Sequence, residues 1–183
     1  MKSRDELRSL LIERSLRRGD FVLSSGKRSS YYIDARLTTM SGAGQKLIGE
    51  LGLQLLDQKG WAVRSIGGLT LGADPVSYAI AHRAALQSRQ LDAFTVRKEA
   101  KAHGTARLIE GVFEPGWAVA VVEDTITTGD SALRAVRAVR EAGGNVTGVL
   151  ALVDRQEGGV ERISSEGLSV ASMFTAAELL GSR

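Results

Sequence analysis

Val119–Ser131 reads VAVVEDTITTGDS, and the reading of this stretch decides the fold. Val119, Ala120, Val121 and Val122 form an uninterrupted apolar run, as expected of a parallel strand buried on both faces. Glu123 and Asp124 close it, Thr125 to Gly129 make a hydroxyl-rich turn, and Ser131 opens a helix. A ribose that carries phosphates would use every part of this junction. Backbone N–H groups of the turn and of the helix start face a phosphate, Thr125, Thr127 and Thr128 add hydroxyl donors, and Gly129 lets the backbone come close. Glu123 and Asp124 can accept hydrogen bonds from ribose hydroxyls.

Outward from this stretch, strands and helices alternate. Residues 3–18 read as a packing helix, with Leu7, Leu10, Leu11 and Ile12 on one face. FVLSSGKRSSYYIDAR (residues 21–36) reads as a hairpin-like element ahead of the main sheet. Ala43–Lys59 has helical spacing and stops at Gly60, and Val63–Ile66 is a short strand running into the glycine-rich turn GGLTLGADP. Pro75 to Leu86 is helical, Asp92–Val96 and Trp117–Val122 are strands, and Ser131–Ala142 is an amphipathic helix ended by Gly143 and Gly144. Val146–Val153 and Leu168–Phe174 complete the strands before a short terminal helix. The alternation implies an α/β domain with a mostly parallel central sheet flanked by helices, whose ligands sit at the carboxyl ends of strands. Gly67–Gly72, Arg97–His103, Glu123–Gly129 and Asp154–Arg155 all follow strands.

Composition narrows the function class. The 183 residues fit one domain, with about 1–40 forming an N-terminal helix and hood segment and about 41–183 the core. No apolar run is long enough to span a bilayer, and MKSRDELRSLLIERS lacks the continuous apolar core of a signal peptide, so a cytoplasmic protein without a membrane partner is expected. With no cysteine there is no thiol chemistry, and any metal is held by oxygen. The net charge of +3 would admit nucleic acid, but the basic residues are dispersed and only Arg97–His103 is clustered. A small polyphosphate accounts for that cluster equally well. SSGKRS is not a P-loop, because Phe21 occupies the first glycine position and Arg28 follows the lysine. Gly67, Gly68 and Gly72 do not satisfy a dinucleotide fingerprint either.

The apolar run with two acids and TITTGDS resembles the phosphoribosyl pyrophosphate (PRPP) motif of the type I phosphoribosyltransferases. Three further stretches narrow the resemblance to the orotate phosphoribosyltransferases: FVLSSGKRSSYYIDAR, VRKEAKAHGTARLIEG (residues 96–111) and VDRQEGG (residues 153–159). The resemblance implies the type I phosphoribosyltransferase fold with a small N-terminal hood. It also implies transfer of the phosphoribosyl group from PRPP to orotate in pyrimidine synthesis. PRPP would be bound by Arg97, Lys98, Lys101, His103 and the run Glu123, Asp124, Thr125, Ile126, Thr127, Thr128, Gly129, Asp130, Ser131. Orotate would meet Ser25, Gly26, Lys27, Tyr31, Tyr32, Thr127 and Arg155. Lys101, His103 and Asp124 are the candidate catalytic residues. Mg²⁺ would arrive on PRPP with no direct protein ligand, and loop residues Lys101 and His103 would act on a neighbouring subunit of a homodimer.

Physical chemistry is consistent with these roles. Orotate is flat and carries a carboxylate, which suits tyrosine rings and an arginine able to bind in two-pronged fashion. Cations aimed at a departing pyrophosphate stabilise charge that develops as the bond breaks. Ser24, Gly72 and Asp130 depart from the family pattern, the first two lying at or near positions where some members carry lysine and the third where a small neutral residue is common. The competing readings are a type I transferase for another base and a non-catalytic PRPP-sensing regulator that binds nucleic acid.

Overall fold

In the computed structural model, which describes residues 2–22, 26, 28–99 and 108–181, the chain opens with α1 (Lys2–Leu10), whose Leu7 is fully buried. The single helix expected over 3–18 does not persist. It widens into a π turn over Leu11–Ser15 and gives way to β1 (Leu16–Val22). Tertiary pairing is the reason: Leu16, Arg17 and Arg18 face Ile33, Tyr32 and Tyr31 of β2 (Arg28–Ile33) in an antiparallel ribbon, and ladder formation overrides local helix propensity. This two-stranded ribbon is separate from the main sheet and forms the expected hood.

A single turn, α2 (Arg36–Thr39), follows and was not foreseen from the sequence. Its Thr38 and Thr39 are fully buried, and Thr38 Oγ1 lies 2.7 Å from Ser15 Oγ. Helix α3 (Gly42–Gln58) starts where Ser41 Oγ accepts from Gly44 N at 3.1 Å. The core then runs β3 (Ser65–Leu69), α4 (Ala73–Ala85), β4 (Asp92–Val96), β5 (Ile109–Gly111), β6 (Ala118–Ile126), α5 (Asp130–Glu141), β7 (Asn145–Asp154), α6 (Gly159–Ser165), β8 (Ser169–Thr175) and α7 (Ala176–Leu180). The short β5 and α6 had no clear periodicity to announce them.

The six core strands are ordered β5-β4-β3-β6-β7-β8, with only the β4–β5 pair antiparallel. Side-chain alternation along β6 builds both layers. Ala120 and Val122 pack with α3 and α4 residues such as Leu56 and Ile80, while Val119 and Val121 pack with Leu133, Val136 and Val139 of α5. Two boundaries differ from the sequence reading. Gly67 and Gly68 lie inside β3 rather than in a turn, because they pair with Phe94 and Thr95 of β4 and with Val121 and Val122 of β6; a Cβ on either would stand 2.0 Å from the carbonyl oxygen of Phe94 or Val122 respectively, which is why both are glycine. Strand β6 continues past its two acids to Ile126, since Thr125 and Ile126 still pair with Val153 and Asp154 of β7.

The two ends of the described chain are clasped. Arg4 donates to Glu178 Oε1 at 2.6 Å and to the Met173 carbonyl at 3.1 Å, and its guanidinium stacks on Phe174. Arg8 donates to the Glu178 carbonyl and Arg18 to that of Leu180. Glu178 is itself fixed by a capping box with Thr175 at the start of α7. The hood is therefore seated by the last turn of the chain.

Candidate active site

Strand order reverses between β3 and β6, and a cleft of about 830 Å³ opens at their carboxyl ends, where open α/β sheets take ligands. Its floor is the end of β6. Glu123 is buried there and Asp124 is mostly so, and Asp124 Oδ1 accepts from Thr125 N at 2.9 Å. Burial raises the Glu123 carboxyl well above the usual carboxylate range, and the adjacent Asp124 charge pushes it further. Burial also raises Asp124, against the hydrogen bonds and the Arg36 charge that favour its ionised form. Gly72, the residue that precedes α4, packs close against this carboxylate. A Cβ at that position would lie 2.5 Å from Asp124 Oδ1.

Beyond the acids, Gly129 takes φ +80 and begins α5 without any side-chain cap, so the first amides of that helix remain free to bind an anion. Glycine is required twice over. The φ lies in the left-handed region, and a Cβ would approach the Gly159 carbonyl oxygen to 3.0 Å and Ile163 Cγ1 to 3.1 Å. Thr128 Oγ1 donates to Asp130 Oδ2 at 2.7 Å, and Arg162 of α6 pairs with Asp130 at 2.6 Å while reaching the Thr128 carbonyl. The hydroxyl and the guanidinium hold the Asp130 carboxyl below its ordinary value. The acid that departs from the family pattern is thus neutralised from α6.

The third wall comes from β7 and the hood. Asp154 Oδ1 accepts from Gln156 N at 2.8 Å, and Gln156 adopts φ 59, so the chain reverses and carries Arg155 inward. The Arg155 side chain is 5% exposed. It pairs with Glu157 Oε1 at 2.8 Å and stacks over the Tyr31 ring at 4.8 Å. The sequence reading treats Arg155 as a cation awaiting a ligand carboxylate, whereas Glu157 already supplies one. Tyr32 lines the cleft beside Val22, with its ring 5.8 Å from Phe21. Among the described residues, Glu123 Oε2, Thr125 Oγ1 and Arg155 Nε are buried polar atoms of cleft residues that lack a partner. Such atoms in one cleft mark where ligand groups complete the hydrogen bonding.

Of the residues singled out in the sequence, Tyr32, Lys98, Glu123, Asp124, Thr125, Thr127, Thr128, Asp130, Ser131 and Arg155 line the cleft. Ile126 points into the core at 1% exposure, and its carbonyl already accepts from Arg155 N at 2.9 Å. Arg97 lines an adjoining hollow with Tyr78 and Thr95 and lies 4.0 Å from Glu110. Lys98 borders both spaces, and its carbonyl accepts from Arg134 of α5. Gly26 is exposed at the tip of the ribbon. Ser25, Lys27, Lys101 and His103 lie outside the described residues.

Sequence reasoning missed Asp34, Arg36, Glu157 and Asp74. Asp74 is buried at the start of α4 and accepts Thr70 Oγ1 at 2.6 Å and Thr95 Oγ1 at 2.8 Å, which fixes the turn after β3. The Asp-x-Arg spacing at 34–36 and Arg-x-Glu at 155–157 were the available signals.

No family model matches the chain. The orotate phosphoribosyltransferase of Aquifex aeolicus is 49% identical over 183 residues, covering 98% of this chain and 99% of that protein. That of Mycobacterium avium is 50% identical over 175 residues, covering 96% and 95%. The crystal structure of Mycobacterium tuberculosis H37Rv orotate phosphoribosyltransferase in complex with PRPP is similar at a TM-score of 0.84. It is 44% identical and covers 98% of this chain and 99% of that one.

The raised Glu123 carboxyl sets a pH dependence. Between the ordinary carboxylate value and its raised folded value, the folded chain holds a proton that the unfolded chain releases, so stability falls as pH rises through that window. Thermal unfolding of the ligand-free chain from about pH 4 to about pH 8 should show Glu123→Gln gaining on the wild type as pH rises, with little difference at the acid end. A constant offset across that range would deny the buried charge this cost.

Proposed function

The chain belongs to the orotate phosphoribosyltransferase family, and from that premise we propose how its cleft divides the work. The reaction transfers the 5-phosphoribosyl group of PRPP to orotate, giving orotidine 5′-monophosphate and pyrophosphate. Amides of Thr127 to Ser131 and the uncapped start of α5 take the 5′-phosphate, and Glu123 and Asp124 take the ribose hydroxyls. The turn after β3 and Lys98 take the pyrophosphate, and Lys101 and His103, outside the described residues, are assigned to it by the family resemblance. Tyr31, Tyr32 and Arg155 receive the base, and Ser25, Gly26 and Lys27 are assigned to it by the family resemblance.

Orotate N1 gives up its proton and bonds to the anomeric carbon as the bond to pyrophosphate breaks and the electron pair of that bond departs on the leaving oxygen. The ribosyl centre is loosened and cation-like as the bond breaks, and the growing negative charge on the pyrophosphate is stabilised by the surrounding cations. Asp124, raised by burial, is the candidate group for moving a proton. The observation that carries this reading is the conjunction, in one cleft, of a buried acid pair, an uncapped helix start and a buried arginine.

Mg²⁺ would arrive on PRPP, coordinated by pyrophosphate and ribose oxygens and water with no direct protein ligand, which fits a cleft whose described residues include no cluster of three or more acidic or histidine side chains able to cage it. When bound, Mg²⁺ neutralises pyrophosphate charge. We further propose that the chain works as one domain, in the cytoplasm, as a homodimer in which Lys101 and His103 serve the neighbouring site. Among the described residues no helix is long and apolar enough to cross a membrane.

The reaction is tested by following orotate absorbance with PRPP and Mg²⁺, with adenine, hypoxanthine and uracil as controls. Loss of orotate dependent on both additions is expected; turnover of another base alone would replace orotate in this reading. Arg155→Ala should raise the orotate KM roughly ten- to a hundredfold, the loss of a charge-assisted contact, with a much smaller change for PRPP. Equal effects on both substrates would remove Arg155 from the base site. Mixing chains inactivated by Lys101→Ala with chains inactivated by Asp124→Asn should restore part of the activity, because one hybrid site is intact. Absence of recovery under demonstrated subunit exchange would rule out sharing of the loop.

A further inference from the structure

Sorting the cleft's charges by their partners leaves one arginine whose placement the reading so far does not use. The described side chains lining the cleft include the carboxylates Asp34, Glu123, Asp124 and Asp130 and the cations Arg36, Lys98 and Arg155. Arg155 is paired with Glu157, and Asp130 with Arg162. Arg36 is paired with Asp34 through Nε at 2.9 Å and Nη2 at 3.0 Å, leaving Nη1 without a hydrogen bond among the described residues. A polyanionic substrate therefore meets a floor of two carboxylates, with Lys98 and Arg36 as the cations not already opposed by a separate wall of the protein.

Arg36 is held in place by more than its ion pair. The preceding Ala35 is 2% exposed, and Thr38 and Thr39 of the same turn are fully buried, so the backbone of α2 is anchored. Arg36 N also donates to Asp34 Oδ1 at 3.2 Å, so one carboxylate fixes both the turn and the guanidinium. A fork gripped on one edge keeps its other edge available in a set direction, and little side-chain entropy remains to be lost on binding an anion.

The direction is set by the sheet. With the 5′-phosphate at the start of α5 and the ribose over Glu123 and Asp124 on β6, the base lies toward Arg155 after β7. The pyrophosphate then leaves on the opposite flank, toward Thr70 to Gly72 after β3. Gly72 abuts Asp124, and the Arg36 charge acts on that same carboxylate.

We propose that Arg36 is a pyrophosphate-binding residue, its guanidinium oriented by Asp34 and its free edge turned to the pyrophosphate of PRPP and to the departing product. The assignment rests on the PRPP reading of the cleft. Asp34 takes a positioning role, and the hood-side wall thereby contributes to leaving-group departure as well as to the base.

The test is equilibrium binding to the full-length chain of magnesium pyrophosphate, PRPP, ribose 5-phosphate and orotate, for wild type, Arg36→Ala and Arg36→Lys. Arg36→Ala should weaken pyrophosphate and PRPP roughly tenfold, as for one charge-assisted contact, while ribose 5-phosphate and orotate bind as before. Arg36→Lys should recover part of the pyrophosphate affinity, because charge is kept and the fork is lost. Unchanged pyrophosphate binding in Arg36→Ala, or an equal loss for ribose 5-phosphate, overturns the assignment while leaving the cleft as the PRPP site. A wild-type chain that binds neither PRPP nor pyrophosphate overturns the reading of the cleft and the Arg36 assignment with it.

Discussion

Two neighbouring carboxylates at the end of a buried strand are the constraint on which the site depends. Charge on Glu123 is disfavoured by burial and by the neighbouring Asp124 charge, and charge on Asp124 by burial, so a polypeptide without need of a ligand would gain by losing one of them. Their surroundings relieve the strain only in part. Thr125 N and the Arg36 charge support Asp124, while Glu123 Oε2 is left without a partner. The folded chain keeps an unmet demand for hydrogen-bond donors where ribose hydroxyls would supply them. Stability and binding draw on the same two residues, in opposite directions.

Around this pair, neighbouring elements convert awkward local chemistry into a fixed surface. Asp74 ties the turn after β3 to Thr95 at the end of β4, and Arg134 ties the Lys98 segment to α5. Asp130, an acid beside a phosphate-binding turn, is answered by Arg162 from a different helix. Arg155 enters from β7 already in contact with Glu157 and Tyr31. Each ion pair places a charge at the cleft and also limits how far that charge can wander.

Fold class was legible because the strongest signals were periodic. The four apolar residues at Val119–Val122 could pack only in an interior strand, and the helices around Leu47–Leu56 and Leu133–Val139 carried unmistakable spacing. What escaped was decided between segments distant in sequence. Leu16–Arg18 became strand because Tyr31–Ile33 pairs with them, and Gly67 and Gly68 became strand because β4 and β6 pair with them on either side. In the site, TITTGDS and VDRQEGG announced themselves through dense polar chemistry. Asp34 and Arg36 did not, since an Asp and an Arg two apart in a turn look like any solvated pair until the fold sets them over Asp124.

The clasp between the first and last described elements makes one wall of the cleft depend on long-range contacts. Arg4, Arg8 and Arg18 anchor the hood through Met173, Glu178 and Leu180, groups more than 160 residues away along the chain. The parallel core is built from pairings between neighbouring βα units, whereas the seat of the hood needs contacts that close a loop of most of the described chain, the costlier kind in conformational entropy. Tyr32, Asp34 and Arg36 hang from that hood and from the turn behind it. The wall of the cleft that they form therefore depends on contacts between residues far apart in sequence, and loosening the clasp would free that wall while the parallel core stays paired.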